Sequence, residues 1–367
     1  MVIEVIRSQS QLSRLKTDWN ELLADSAADT IFLTWQWIAS WIEVQDEVPD
    51  IFVVVARDEG GQLIALAPFY RTKYRLMGCK DISVLRVLGD SPFGAEYGNI
   101  IVRHGHVEDV GDRLTQQLAA LDKEWDLIWM PNFAKWTDSY FIIKRILGHS
   151  RLLVRECHRP FSSVPLPSDP KEFLKRTSAN TRQQIRRTCR RVFANENMRV
   201  VQVRSAESLQ FYLNTLFDLH AMRWRTKNDP GAFERNPRQK SFYRSFTPKA
   251  MKHGWLRMLA LEEAGRVVAI QYGFRYKDAY LQMQEAFDPS HISGLGNALR
   301  RFAIDLFIRE SIREYDFLGG HTEHKRRWQA VERAGCDFLI AHHRPLSRLL
   351  FNSGIWPGGR FLKSAGS

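Results

Sequence analysis

The chain has 367 residues, 44% hydrophobic and 26% charged, with 22 Phe, 11 Trp and 10 Tyr beside only 22 Gly and 14 Pro. That composition excludes a disordered or collagen-like chain, and the length favours two domains, either able to bury a core without disulfides or metal. The 53 Lys+Arg against 41 Asp+Glu give a net charge of +12 and predict an anionic partner: nucleotide cofactor, nucleic acid, acidic glycan or lipid headgroup.

The opening MVIEVIRSQSQL carries an early glutamate and no apolar stretch, so it does not read as a signal peptide. No window approaches ~18 uninterrupted apolar residues, and a cytoplasmic protein is expected. Ile3–Arg7 reads as a strand and Gln9–Ala24 as a helix. Phe32–Val44 follows, its Trp35, Trp37, Ile38, Trp41 and Ile42 at helical spacing. Phe52–Ala56 and Leu63–Tyr70 form a hairpin across Arg57-Asp-Glu-Gly-Gly61. A helix at Val107–Leu121 leads into a strand at Asp126–Met130. Pro160, Pro165, Pro167 and Pro170 mark a connecting stretch. Beyond it lie helical stretches at Pro170–Asn195 and Ser205–Trp224, then a hairpin of Leu256–Leu261 and Val267–Phe274. A strand at Ala279–Phe287, a helix at Asn297–Ser311 and strands at Asp316–Leu318 and Asp337–His342 finish the order. The boundaries expected are a first domain at 1–157, a second at 158–345 and a basic tail at 346–367.

Charge separates the halves. Residues 1–157 hold 17 Lys+Arg and 22 Asp+Glu, a net of −5, so the remainder carries +17. Cys79, Cys157, Cys189 and Cys336 are too few for a disulfide framework and wrongly spaced for structural zinc, and four buried thiols are expected. The two hairpins also align without a gap at an offset of 204, with Ala56/Ala260, Glu59/Glu263, Gly61/Gly265 and Ala65/Ala269 identical. Further on, Glu124-Trp-Asp-Leu127 parallels Glu314-Tyr-Asp-Phe317, each after a helix. The shared order of hairpin, helix and Asp-bearing strand points to a duplicated α+β unit, with the basic half working and the acidic half a degenerate copy.

The most chemical stretch is Glu285-Ala-Phe-Asp-Pro-Ser-His291-Ile-Ser-Gly294-Leu-Gly296-Asn297-Ala-Leu-Arg300-Arg301, a strand, a loop with two glycines and a helix start. Free N–H groups at a helix start favour a pyrophosphate, although glycines there also serve a tight turn alone. Walker A is excluded because no Gly-Lys-Ser/Thr follows, and a Rossmann fingerprint because the third glycine is missing.

This order resembles the acyl-CoA loop of the GNAT acyltransferases, Gln/Arg-x-x-Gly-x-Gly/Ala, with His291 standing at the first position. Leu219-His220-Ala-Met-Arg223-Trp224 and Tyr315-Asp316-Phe-Leu-Gly-Gly-His321-Thr-Glu-His324-Lys325-Arg-Arg-Trp328 resemble one branch of it, as does Phe32-Leu-Thr-Trp35-Gln-Trp37 through Trp41. That branch is the GNAT-like acetyltransferases associated with bacterial cellulose and exopolysaccharide production, relatives of the FemAB peptidyltransferases; its usual tyrosine before the lysine is His324 here. The resemblance spans roughly residues 5–340. It implies an α/β (α+β) fold of tandem GNAT-like (acyl-CoA N-acyltransferase) domains, each a mixed central sheet flanked by helices.

The resemblance also implies an acyl-CoA-dependent N-acyltransferase, with acetyl-CoA or another acyl-CoA as co-substrate and no metal. His291, Gly294, Gly296, Asn297 and Arg300 are the expected cofactor-binding residues. Acyl transfer to an amine needs a base and a polarised carbonyl. Glu285, Asp316 and His321 are the catalytic candidates, although Glu285 also reads as a surface glutamate and Asp316 as a cap for backbone donors. His220, Arg223 and Trp224 share one helix face and, with Lys325, are candidates to hold the acceptor, although Trp224 also reads as core. His321 and His324 lack a third ligand at metal spacing.

Lys175 to Arg191 is the most basic segment, with Arg182, Arg186 and Arg190 at every fourth position. It reads as a solvated face near cofactor phosphates, a surface for a membrane carrying a lipid-linked glycan, or a tRNA site. Nucleic acid is disfavoured, since no aromatics interleave with the arginines. The acceptor expected is a sugar amine, polysaccharide precursor or other small molecule, with peripheral contact to a membrane or biosynthetic complex. The alternatives are a FemAB-like aminoacyl-tRNA-dependent transferase and a non-enzymatic basic binding module.

Overall fold

A computed structural model describes residues 1–76, 80–90, 93–149 and 151–353. Two compact units emerge: Met1–Arg159 joined by the described residues from Ala334 onward, and Pro160–Arg333.

The first unit runs β1 (Val2–Ile6), α1 (Gln9–Arg14), α2 (Lys16–Ala24), α3 (Trp35–Glu43), β2 (Asp50–Arg57), β3 (Leu63–Leu76), β4 (Lys80–Val87), β5 (Ile101–Val102), α4 (Val107–Ala120), β6 (Leu127–Ala134), α5 (Tyr140–Gly148) and the start of β7 (Leu152–Pro165). The single helix expected over Gln9–Ala24 is two, broken at Leu15. The tryptophan segment opens with a 3-10 turn at Ile31–Leu33, and Thr34 then caps α3 by accepting from Trp37 N. Buried Trp35, Trp37, Ile38 and Trp41 seat that helix. Strands β1 to β4 form an antiparallel run, and β4 pairs in parallel with β6 after the α4 crossover.

The second unit opens with α6 (Pro170–Arg176) and α7 (Ala179–Phe193) and then repeats that order, apart from β5: β8 (Met198–Gln202), α8 (Ala206–Arg225), α9 (Gly231–Arg235), α10 (Arg238–Lys252), β9 (Leu256–Glu263), β10 (Arg266–Tyr276), β11 (Ala279–Phe287), α11 (Leu295–Arg309), β12 (Glu314–Gly319) and α12 (Glu323–Arg327). Strands β8 to β11 are antiparallel, and β12 joins β11 in parallel after α11. The pattern that suggested duplication therefore corresponds to equivalent strands and crossovers. The hairpins are not superposable residue by residue, however. Ala65 faces Ala56, whereas Ala269 faces Leu261, because β9 and β10 are joined by two residues and β2 and β3 by five.

Three boundaries differ from expectation. The proline-marked stretch expected as a connector is the end of β7, whose residues 161–165 pair with β12. The helical stretch Pro170–Asn195 breaks at Thr177-Ser178, where Ser178 caps α7. Residues 334–345, expected in the second domain, join the first unit because β13 (Val331–His342) pairs with β6 over Gly335–Ala341. The beginning of the expected tail is helix α13 (Pro345–Ser353), and 354–367 lie outside the described residues. Of the cysteines, Cys336 is buried, Cys157 and Cys189 are half-buried, and Cys79 lies outside the described residues. Each unit has its own apolar core, one including Phe52, Trp125 and Phe338, the other Phe173, Leu299, Phe307 and Trp328.

Candidate functional site in the second unit

The site begins where two parallel strands part. β11 pairs with β12 only over Ala279–Leu281 against Glu314–Asp316, and beyond Leu281 no described strand lies on that edge. On its other edge Gln282 faces Gly273 and Gln284 faces Tyr272, so Met283 has no opposite residue. Such a bulge bends the strand, and the fork opens at the C-terminal ends of parallel strands, where open α/β sheets take ligands. At its root Gln271 Nε2 donates to the Tyr280 and Tyr315 hydroxyls at 3.1 and 2.6 Å, and Tyr315 donates to Gln282 Oε1 at 2.5 Å. Burial pushes both phenols above their ordinary range, so they fix geometry and stay protonated near neutrality.

Beyond β11, Asp288 turns the chain: its Oδ1 accepts from Ser290 N at 2.9 Å and Oγ at 2.6 Å, and its Oδ2 accepts from Arg266 at 2.5 Å. Burial alone would raise this carboxyl, but the Ser290 hydrogen bonds and the Arg266 charge outweigh it and hold it below its usual value. His291 Nε2 sits 2.8 Å from Glu263 Oε2, so its ring is pinned to β9, and this contact lowers the Glu263 pKa. Arg191 of α7 donates to Ser293 O at 2.5 Å and Oγ at 3.0 Å. Gly294 then caps α11 with φ of 92°, and no side chain takes the cap. The first helical bond is Ala298 N to Gly294 O at 2.9 Å, so the Leu295, Gly296 and Asn297 N–H groups precede the intrahelical ladder.

Both glycines also answer to packing. A Cβ at 294 would lie 2.6 Å from Thr188 Cγ2, and one at 296 would lie 2.8 Å from Glu285 Oε1. Substituting either one therefore disturbs the fold as well as any ligand. A pyrophosphate nonetheless fits this helix end, where three main-chain donors, an uncapped start and the Arg191 guanidinium meet.

Beneath the loop lies a buried ionic cluster. Arg300, expected to reach the cofactor, points inward instead and pairs with the Glu285 carboxylate, the two side chains being 2% and 9% exposed. It also donates to Asn297 Oδ1 at 3.3 Å and to His324 Nε2 at 3.1 Å, and lies over Trp328 and Phe317. Burial and then the Arg300 charge lower the His324 pKa, which keeps the ring a neutral acceptor. Glu285 is thus neither a surface glutamate nor a free base, because its charge is matched by a guanidinium. Arg301 is likewise taken, by Asp305 at 2.6 Å.

Arg223 of α8 donates to the Glu285 carbonyl at 2.8 Å and lies over Phe287, so it braces the strand at the fork. His220, one turn earlier, is buried against Phe233. Burial first, then Arg223, pushes its imidazole down to about 4. With Trp224 it packs on Gly231, where a Cβ would lie 2.7 Å from His220 Cε1. His220 therefore belongs to a packing cluster, as Trp224 does in part.

On the other prong, Asp316 is 3% exposed and its Oδ1 accepts from Leu318 N at 2.7 Å. It shapes the chain where β12 ends, Leu318 having a φ of 61°. Lys325, expected to help hold the acceptor, instead shares the three protons of Nζ among the Phe317, Leu318, Gly319 and Gly320 carbonyls at 2.5–3.4 Å. His321 differs from the others. Ser162 Oγ lies 2.8 Å from both Gly320 O and His321 Nδ1. A carbonyl only accepts, so the single serine proton goes to Gly320 and Nδ1 must donate; in the neutral ring this leaves the lone pair on His321 Nε2.

The structure thus brings His291, Gly294, Gly296 and Asn297 into one loop, Glu285, Arg300 and Arg223 beneath it, and Asp316, His321 and Lys325 onto the second prong. Sequence reasoning missed Ser162, Thr188 and Glu263, which come from other elements, whereas Arg191 belongs to the basic segment expected near cofactor phosphates. Among the described residues no group of three His, Cys, Asp or Glu side chains forms a metal site.

Against this geometry, residues 179–326 match the family model described as the acetyltransferase (GNAT) domain. The matched stretch runs from α7 into α12 and so contains the loop, α11 and both prongs of the fork. Comparison with curated proteins finds no match. Among solved structures, FemX is similar at a TM-score of 0.65 and 10% identity, over 95% of this chain and 100% of that one. A conserved protein of unknown function from Bacteroides thetaiotaomicron gives 0.55 at 13%, over 93% and 100%. A tandem GNAT protein from the clavulanic acid biosynthesis pathway gives 0.50 at 12%, over 94% and 99%. At such identities the likeness concerns fold, and the fold is two GNAT-like units in tandem.

Proposed function

We propose that this chain is an acyl-CoA-dependent N-acyltransferase that works in its second unit, transferring an acyl group, acetyl first among them, to an amine of a sugar, polysaccharide precursor or other small acceptor. The observation that carries this is the uncapped start of α11 at the mouth of the β11/β12 fork. Leu295, Gly296 and Asn297 N–H would hold the pyrophosphate, with Arg191 adding charge. When bound, the thioester supplies the activated acyl group. His321 takes the acceptor's proton at Nε2, held in that tautomer by Ser162. Glu285, Arg300 and Arg223 brace the β11 prong, and Lys325 braces the end of the β12 prong. The first unit is the degenerate copy, since the segment before α4 lacks the paired glycines and residues 1–157 carry a net negative charge.

A second reading, an aminoacyl-tRNA-dependent transferase, is favoured by one feature: arginine-rich α7 borders the same loop through Arg191. Calorimetric titration with acetyl-CoA, longer acyl-CoAs and aminoacyl-tRNA separates the two. Saturable CoA binding with weak tRNA binding supports the first; tight aminoacyl-tRNA binding at physiological salt without CoA binding replaces it with the second.

A further inference from the structure

Helix α7 has no acidic residue in fifteen positions, and Ile185, Thr188 and Val192 form the stripe that seats it. Of its five arginines, Arg191 serves the loop and Arg182 donates to Lys175 O. Arg186, Arg187 and Arg190 are exposed and meet no acidic partner among the described residues. Arginines elsewhere in the chain are commonly matched, as in Arg103–Asp25, Arg257–Glu310 and Arg333–Glu314. The helix C-terminus accounts for Arg190 and Arg191 but not for Arg186 or Arg187.

At 3.6 residues per turn, Phe193 falls on the face that carries Arg182, Arg186 and Arg190. It is 38% exposed, and Phe302 of α11, 37% exposed, lies beside it with ring centroids 6.4 Å apart at 45°. This aromatic pair, formed partly by another helix, is invisible in the run of arginines.

We propose that the outer face of α7, together with Phe302, docks the protein on an anionic lipid surface. Unmatched guanidinium groups beside exposed aromatic rings are the composition of an element that lies in a bilayer interface, charge meeting headgroups and rings entering the acyl boundary. The arginine face carries a single aromatic pair rather than the row of rings on which successive bases stack, which separates this surface from a single-stranded RNA platform. It is separate from the proposed phosphate site as well, because Thr188 and Arg191 face the loop while Arg186 and Arg190 turn away from it.

The test is co-sedimentation of the full chain with phosphatidylcholine vesicles, with and without phosphatidylglycerol, over a salt series and without any acyl donor. It stands or falls independently of the acyltransferase reading. Partition to the anionic vesicles, weakening with salt, is expected. Changing Arg186, Arg187 and Arg190 together to Gln should lower it about 100-fold, at roughly fivefold per arginine. F193S/F302S should also lower it while leaving the salt dependence in place, with circular dichroism confirming that both variants fold. Failure to partition, equal partition to neutral vesicles, or unchanged binding by folded variants overturns the proposal. So does tRNA binding that depends on the arginines while vesicle binding is absent.

Discussion

Replacing Arg300 by methionine tests the buried cluster that holds the fork together. The change keeps much of the side-chain volume but removes the ion-pair partner of the 9%-exposed Glu285 carboxylate, packed against Gly296, and leaves Arg223 as a nearby cation. It also removes the cation from above Phe317 and Trp328 and the donor to His324. Stranding one partner of a buried ion pair costs about 3–5 kcal/mol. That is a large part of the roughly 5–15 kcal/mol stabilising a typical domain. Replacing both partners with apolar residues, as in E285L/R300M, removes the stranded charge and should recover all but about 1–2 kcal/mol. Urea unfolding followed by tryptophan fluorescence, with hydrogen exchange of the α11 amides, reads both variants. A cost below about 1 kcal/mol for R300M, or a double variant no better than the single, would refute a matched, desolvated pair.

Three further outcomes follow from the same geometry. His220 and His342 are both 3% exposed, and burial pushes each down to about 4, so the unfolded chain, titrating near 6.5, binds protons that the folded chain refuses. Stability should fall as pH drops from about 6.5 to about 4, by roughly 3 kcal/mol per histidine, and a flat urea midpoint over that range would contradict both. G296A should destabilise the second unit before any ligand is added, because its Cβ meets Glu285 Oε1; wild-type stability in thermal unfolding would show that the carboxylate can move away. H321A should lower turnover about 100-fold or more with unchanged CoA affinity, and S162A should lower it less while shifting the pH profile, both read by thiol release; equal turnover in H321A would remove it as the base.

Much of the fold was legible because it is written in local patterns. Runs such as Asp50–Arg57 and Arg266–Tyr276 and the order of hairpin, helix and strand identify the repeat directly. The loop was legible for the same reason, its glycines being contiguous with a strand and a helix. What a local pattern does not carry is the partner. Arg300 follows the loop by one turn and reads as a phosphate ligand, yet Glu285, fifteen positions earlier, draws it inward. Lys325 reads as a charge for substrate, yet four carbonyls of a turn with left-handed Leu318 need a donor. The tautomer of His321 depends on Ser162, which lies 159 positions away in a segment that its prolines disguised as a linker. Strand β13 joins the first unit through pairing with β6, a choice of neighbour that periodicity does not encode.

Whether the start of α11 holds the pyrophosphate of an acyl-CoA is decided by a crystal structure of the chain with CoA. Pyrophosphate oxygens are expected within hydrogen-bond reach of Leu295, Gly296 and Asn297 N–H, with Arg191 alongside and Arg300 still paired to Glu285. CoA found against the first unit, or a pyrophosphate held away from this helix end, would contradict it.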